Sequence, residues 1–288
     1  MTRRGSSGVH VRAERDRRHT LYFLEYADSQ RLVYLDTEID MSRIMAHRSA
    51  AVQRGERYSI VTYLLLATGR VMARHPDANA AMAPGWPGVL RRPKIARFDA
   101  VVAKVALDRL VEGRRIVLSA LIPDLPSAGL DEIQQRVDRY RAENVADLPE
   151  FRGVRKLRKV PTSLGRLAFA AALRRPQRRP GVLGTVSVSS LGHRPVDGFH
   201  SNGGTAVTIC AGQVLDRPVA RGGRLEVAPV MRLSLAFDHR VIDGAEASDL
   251  LGELKDTMEE FNAGEPSPVV RGADQDHRAG RPVGAGTH

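Results

Sequence analysis

Cysteine is almost missing from this sequence: Cys210 is the one thiol in 288 residues. That excludes an intramolecular disulfide and any zinc site built from cysteines. No stretch approaches the roughly 20 apolar residues that a membrane-spanning helix needs. The first twenty residues carry six arginines but no apolar run of the kind a signal peptide has. No GxGxxG, Walker-type or CxxC pattern occurs, so dinucleotide, nucleotide-triphosphate and dithiol redox chemistry have no support. Aromatic residues amount to 5% with one tryptophan, which argues against a base-stacking surface. Lysine is scarce as well: of 44 basic residues, 39 are arginines. These absences, with 42% hydrophobic residues, leave a soluble, cytoplasmic globular protein without a metal as the expectation.

The formal charge of +11 is a local property. Between Arg152 and Pro180 lie ten basic residues and no acid, and the first twenty residues add a further +4, so the rest of the chain is mildly acidic at −3. Pro161 and Pro176 bracket a run, Ser163 to Arg175, in which Leu164, Leu167, Ala168, Ala171 and Ala172 recur at helical spacing with arginines at both ends. This predicts a basic amphipathic helix. It could lie on an anionic membrane surface, dock an acidic partner, or pack those residues on its own domain with a solvated arginine rim.

Residues 1–20 are polar, charged and aperiodic, as are 263–288, and both are expected to be disordered around one domain, 21–262, with 152–180 as a basic insert. Within the domain, strand-like and helix-like signals alternate. Arg31 to Ile39 reads as a strand, followed by a helix that Asp40 can cap and whose inner face is Ile44, Met45, Ala51 and Val52. Ser59 can cap an apolar helix that stops before Pro76. Val101 to Leu107 and Ile116 to Ile122 read as strands joined by a turn at Glu112 and Gly113, and Ser127 opens a helix carrying Leu130, Ile133, Val137 and Tyr140. Gly184 to Ser190, Thr205 to Ala211 and Met231 to Phe237 are further strands, and Ala245 to Phe261 is a last helix. Strand pairs with turns, mixed with helices, predict α/β layers around one mixed sheet.

The informative segment follows the strand MRLSLAFD: Asp238, His239, Arg240, Val241, Ile242, Asp243, Gly244 and then a helix. A histidine at a strand end, beside a helix N-terminus, can act as a general base near neutral pH. Spacing alone leaves it open between that role and a hydrogen-bonded structural residue. Cys210, in an apolar strand, reads as an inert core thiol.

The segment DHRVIDGAEASDLLGELK resembles the C-terminal signature of the catalytic domain of dihydrolipoamide acyltransferases, the cores of 2-oxo acid dehydrogenase complexes. Three further pieces fall in that family's order. GTVSVSSLG, Gly184 to Gly192, is similar to its GTFTISNLG strand; HPDANA, His75 to Ala80, to its P-x-x-N-A; and Val33 to Arg48 to the strand and helix around its E-x-D and downstream arginine, here Glu38, Asp40 and Arg48. The resemblance implies a chloramphenicol acetyltransferase-like two-layer sandwich with a mixed β-sheet.

It also implies an acyltransferase that moves an acyl group between a pantetheine thioester and an acceptor without an acyl-enzyme. By match His239 is the base, Ser189 donates a hydrogen bond to the oxyanion, and Asp243 fixes the loop through an ion pair with Arg48 or Arg240. The family's sites lie between subunits of a trimer, so a homotrimer is expected, with His239 and Ser189 on different chains. The thioester is coenzyme A or a phosphopantetheine carrier. No lipoyl-type or Ala/Pro-rich segment precedes the domain, so the expected form stands alone, with no lipoyl group of its own.

This chain departs from the family at FHSNGGTAVTICAG, Phe199 to Gly212, where the substrate wall differs and His200 is given no role, and at the arginine-rich insert. Arg174, Arg175, Arg178 and Arg179 are assigned to the donor's phosphates. An acidic carrier protein, a lipoyl-domain protein and a membrane surface are the partners considered, and nucleic acid is disfavoured. An inactive trimeric scaffold and a core served by a separate lipoyl domain are the competing readings.

Overall fold

The computed structural model describes residues 18–83, 94–111, 114–143, 148, 153, 156–157 and 160–262. In chain order the first half forms α1 (Arg18–Ala27), β1 (Leu32–Asp40), α2 (Ser42–Gln53), α3 (Ile60–Met72), β2 (Ala80–Met82), β3 (Ile95–Arg97), β4 (Ala103–Val111), β5 (Arg114–Ile122) and α4 (Leu130–Ala142). The second half forms α5 (Thr162–Arg174), a 3-10 turn (Pro176–Arg178), α6 (Pro180–Leu183), β6 (Val186–Ser190), β7 (Val207–Arg221), β8 (Arg224–Asp238) and α7 (Gly244–Glu259).

Six strands make one mixed sheet in the order β1-β8-β7-β6-β4-β5, with β6 parallel to both β7 and β4 and the other pairs antiparallel. Alternation along the strands divides its two faces. Val186, Val188, Val207, Ile209, Leu235 and Phe237 enter the hydrophobic core. The α3 helix is apolar all round and is buried along almost its whole length, so the helical layer closes around it. A fully buried side chain such as Phe237 contributes about 1.5–3 kcal/mol. The opposite face carries Ser187, Ser189, Thr208, Cys210, Ser234 and Asp36.

The strand and helix pattern expected from the sequence is largely present; the small β2-β3 pair was not expected, the helix read from Ser127 starts at Leu130, and four further differences stand out. Val52 is 57% exposed, because α2 buries only Ile44 and Ala51 fully. The α1 helix begins at Arg18, inside the segment expected to be disordered; residues 1–17, the turn at Glu112 and Gly113, and the tail 263–288 lie outside the described residues. The last hairpin is also twice as long as expected. β7 and β8 pair from Val207 and Phe237 out to Arg221 and Arg224, where Gly222 and Gly223, with φ of +53° and +78°, make the two-residue turn that matches sheet twist.

The fourth difference concerns the basic helix. It forms, and of the readings left open for its apolar stripe the packed one does not hold: Leu164 and Leu167 are 57% and 65% exposed. The stripe it buries is Gly165, Phe169 and Leu173, the first two against Tyr22 of α1. A Cβ on Gly165 would lie 2.8 Å from the Tyr22 hydroxyl, so glycine is what lets the two helices approach.

Candidate active site

His239 follows directly on β8. Its turn is fixed by its neighbours. Asp238 is 2% exposed and accepts hydrogen bonds from the Arg31 N–H (3.2 Å), from the Arg240 N–H (3.2 Å), and from the Arg240 guanidinium at 2.9 and 2.6 Å. Burial opposes its charge, but the bonds from Arg240 and Arg31 outweigh that and hold the carboxyl below the usual aspartate value. The His239 N–H donates to the Arg31 carbonyl at 2.8 Å, and Ile242, 5% exposed, anchors the far side of the turn. The imidazole is therefore held by backbone on both sides while its ring, packed 5.5 Å from the Phe237 ring, stays half exposed.

Asp243 stands at the N-terminus of α7, with one carboxyl oxygen 3.4 Å from His239 Nδ1. A carboxylate there favours the proton on Nδ1 and leaves the Nε2 lone pair free to take one. The arginine partners expected for Asp243 are otherwise engaged: Arg240 is spent on Asp238, and Arg48 donates from Nε to the Tyr58 carbonyl at 2.9 Å. Among the described residues, Asp243 is thus left facing His239 alone.

Ser189 lies on the polar sheet face, half-buried, and its hydroxyl has no hydrogen-bond partner among the described residues. Cross-strand register places it in a row, Ser189, Cys210, Ser234, Asp36, running across four strands. Ser234 lies five residues before His239 and two strands from Ser189. At about 3.3 Å per residue along a strand and about 4.8 Å between strands, Ser189 and His239 of one chain are roughly 15–20 Å apart. One chain does not bring them to one carbonyl carbon.

Sequence reading missed two features of this face. Asp36 accepts from Ser234 Oγ at 2.5 Å and faces His200 Nε2 at 3.1 Å, so His200, which had no role, joins a polar row with Ser189. Nothing in the sequence marks a residue pairing across 164 positions. Lys104, 7% exposed, donates to the Gly203 carbonyl and sits 4.3 Å from the Phe23 ring centre. Ser187 Oγ donates to the same carbonyl at 3.0 Å, and Thr205 Oγ1 donates to Ser187 Oγ at 2.8 Å. An isolated lysine in a strand pattern was the available signal.

Of the arginines assigned to phosphate, Arg179 does not fit. It is 5% exposed, and its guanidinium donates to the carbonyls of Leu173 (3.0 Å) and Met82 (2.5 Å), so it fastens the basic insert to the body. Arg174, Arg175 and Arg178 are exposed.

Cys210 is 1% exposed, and burial pushes its thiol up to about 12 despite a hydrogen bond from the Ser201 backbone. The native protein at pH 7.5 is expected to react with a maleimide at least about 100-fold more slowly than the denatured chain. Equal rates in a labelling time course would contradict that burial. Among the described residues, no three His, Cys, Asp or Glu side chains are grouped to hold a metal ion.

Comparison with known proteins bears out the resemblance. Residues 166–264 match the family model of the 2-oxoacid dehydrogenases acyltransferase catalytic domain. The human succinyltransferase component of the 2-oxoglutarate dehydrogenase complex is 49% identical over 47 residues, which is 16% of this chain and 10% of that protein. The chain thus aligns with only a tenth of that curated relative. Among solved structures, the cubic core of the pyruvate dehydrogenase multienzyme complex has a TM-score of 0.64 at 19% identity, covering 89% of this chain and 93% of the other. Azotobacter vinelandii dihydrolipoamide acetyltransferase, whose catalytic mechanism has been investigated at a serine, a histidine and an asparagine, gives 0.60 at 20% identity, covering 84% and 87%. The fold is that of the acyltransferase catalytic cores.

Proposed function

We propose that this protein transfers an acyl group between a pantetheine thioester and a thiol acceptor, at a site formed between two copies of the chain. The observation that carries the reading is the turn at His239. A basic imidazole nitrogen is left free by Asp243, on a strand end locked by Asp238 and Arg240, inside the segment that matches the acyltransferase family. In the Azotobacter enzyme the histidine and asparagine are four residues apart, as are His239 and Asp243 here.

The reaction needs no metal and no acyl-enzyme. His239 Nε2 takes the acceptor's S–H proton as the sulfur attacks the carbonyl carbon. The carbonyl electron pair moves onto oxygen, where Ser189 Oγ of the neighbouring copy donates a hydrogen bond to the oxyanion. Collapse of the tetrahedral species breaks the bond to the pantetheine sulfur, which leaves with the proton from the imidazolium. One thioester is broken and one is formed. Asp243, facing Nδ1, stabilises the imidazolium that exists in between.

The separation of Ser189 from His239 within a chain supports a shared site, and a closed assembly such as a trimer supplies one at each interface. A dihydrolipoamide borne by another polypeptide fits as the acceptor thiol. The test is a panel of short-chain, branched and dicarboxylic acyl-coenzyme A thioesters offered with dihydrolipoamide, followed by release of free coenzyme A. Turnover of at least one pair is expected; a folded protein inert across the panel would overturn the reading.

A further inference from the structure

The α5 helix carries two apolar stripes and uses one. Gly165 and Phe169 are spent on α1 and Leu173 is buried, while Leu164, Leu167, Ala168 and Ala171 face outward at the same helical spacing. Around this outer stripe the charge is one-sided. Lys156, Arg174, Arg175 and Arg178 are exposed, and no carboxylate among the described residues pairs with them. The acid that borders the helix, Glu25 of α1, is neutralised by Arg166. Arg179 and an Arg18 bond to the Val160 carbonyl (3.0 Å) tie both ends of the element to the body, so the stripe is presented on a fixed helix.

We infer that α5 seats this protein on an anionic lipid surface, with Leu164 and Leu167 entering the headgroup boundary and Arg174, Arg175 and Arg178 meeting lipid phosphates. At 13 residues the helix is about 20 Å long, too short to cross a bilayer and of a length suited to lying in its plane. A soluble acidic partner would satisfy the arginines. Two leucines and two alanines on a convex helix, however, fall well short of the roughly 800 Å² per side that a stable protein interface needs. A bilayer needs no shaped partner surface, and repeated copies of the helix in an oligomer multiply the attachment. Arginine's fork also matches lipid phosphate oxygens, which weighs on the same side.

Flotation of the full-length protein with phosphatidylcholine vesicles containing about 40% phosphatidylglycerol, against phosphatidylcholine alone, tests this. Binding is expected on the anionic vesicles only, and to fall steeply between 0.1 and 0.5 M salt, since exposed charges are screened. The triple change Arg174→Gln, Arg175→Gln and Arg178→Gln should weaken it by about 100-fold. Leu164→Ser with Leu167→Ser should weaken it by at least about 10-fold while circular dichroism stays unchanged, because both side chains are already exposed.

The leucine pair also separates this surface from the basic N-terminus, which has no such stripe. Three outcomes would overturn the inference. One is vesicle binding that both variants retain. Another is no vesicle binding together with a stable complex with an acidic carrier protein. The third is a 10-fold rise in the Michaelis constant for the thioester donor in the arginine variant with lipid binding intact. Flotation does not depend on turnover, so its failure is distinct from failure of the proposed activity.

Discussion

Replacing His239 by alanine is expected to lower the rate of acyl transfer by about 10³-fold and to leave the fold intact. The first expectation follows from the role: a positioned general base contributes about 10²–10⁴ in rate. The second follows from the structure, since the turn is held by the Asp238 carboxylate, the Arg31 carbonyl and buried Ile242, with the imidazole itself half exposed. Ser189→Ala should cost about 10²–10³, the effect of removing one oxyanion donor.

Mixing the two inactive chains gives the sharper result. If each site takes His239 from one copy and Ser189 from its neighbour, a random 1:1 mixture, unfolded and reassembled together, rebuilds about a quarter of the sites. Recovery of about that fraction of parental activity is the expected reading. No recovery, with mixed assemblies demonstrated by mass, would place both groups in one chain, and parental rates in folded His239→Ala would remove the histidine from the mechanism.

The second large effect is on stability. Lys104→Met is expected to stabilise the protein by about 2–3 kcal/mol at pH 6, with the gain lost as the pH rises from 7 toward 10.5. Burial lowers the Lys104 amine from 10.5 to about 7 in the folded chain. The unfolded chain therefore holds a proton that the folded one releases between those values, and stability rises with pH across that window. Below pH 7 both states are protonated and the folded state carries the full penalty, roughly 4–5 kcal/mol at 1.36 kcal/mol per pH unit.

The variant also forgoes the Gly203 bond and the Phe23 contact at every pH, which leaves the smaller net figure at pH 6 and turns the gain into a loss before pH 10.5. Methionine keeps the length and removes the charge. The Gly203 carbonyl retains Ser187 as a donor, so no acceptor is orphaned. Guanidinium unfolding of parent and variant at pH 6 and pH 10 checks this, and a variant less stable at pH 6 would contradict it.

Much of the fold could be read from local pattern because local physics produces it. The alternation in Met231 to Phe237, the apolar run of α3 and the period of Ile133, Val137 and Tyr140 each state which side is buried. The hairpin arm was not legible. Residues such as Asp216, Arg217, Glu226 and Pro229 look like loop, and the arm is held by ladder pairing and by ion pairs such as Arg217 with Glu38. Glu38 lies 179 positions from Arg217, beyond the reach of local pattern. At the site, DHR–DG and the serine strand identified His239, Asp243 and Ser189, but the ion-pair partner was misassigned because two arginines could have reached Asp243 and only the folded turn commits Arg240 to Asp238.

The sequence by itself determined most of the element types and the family resemblance, and it singled out the residues proposed for acyl transfer, because these depend on periodicity and on short motifs carried by neighbours in the chain. Tertiary structure decided what long-range packing alone can choose. It set the Ser189 to His239 separation on which the proposed shared site rests, and it buried Lys104 and Arg179. It also turned Leu164 and Leu167 outward, since a helix with two apolar stripes cannot know from its own residues which one α1 will cover.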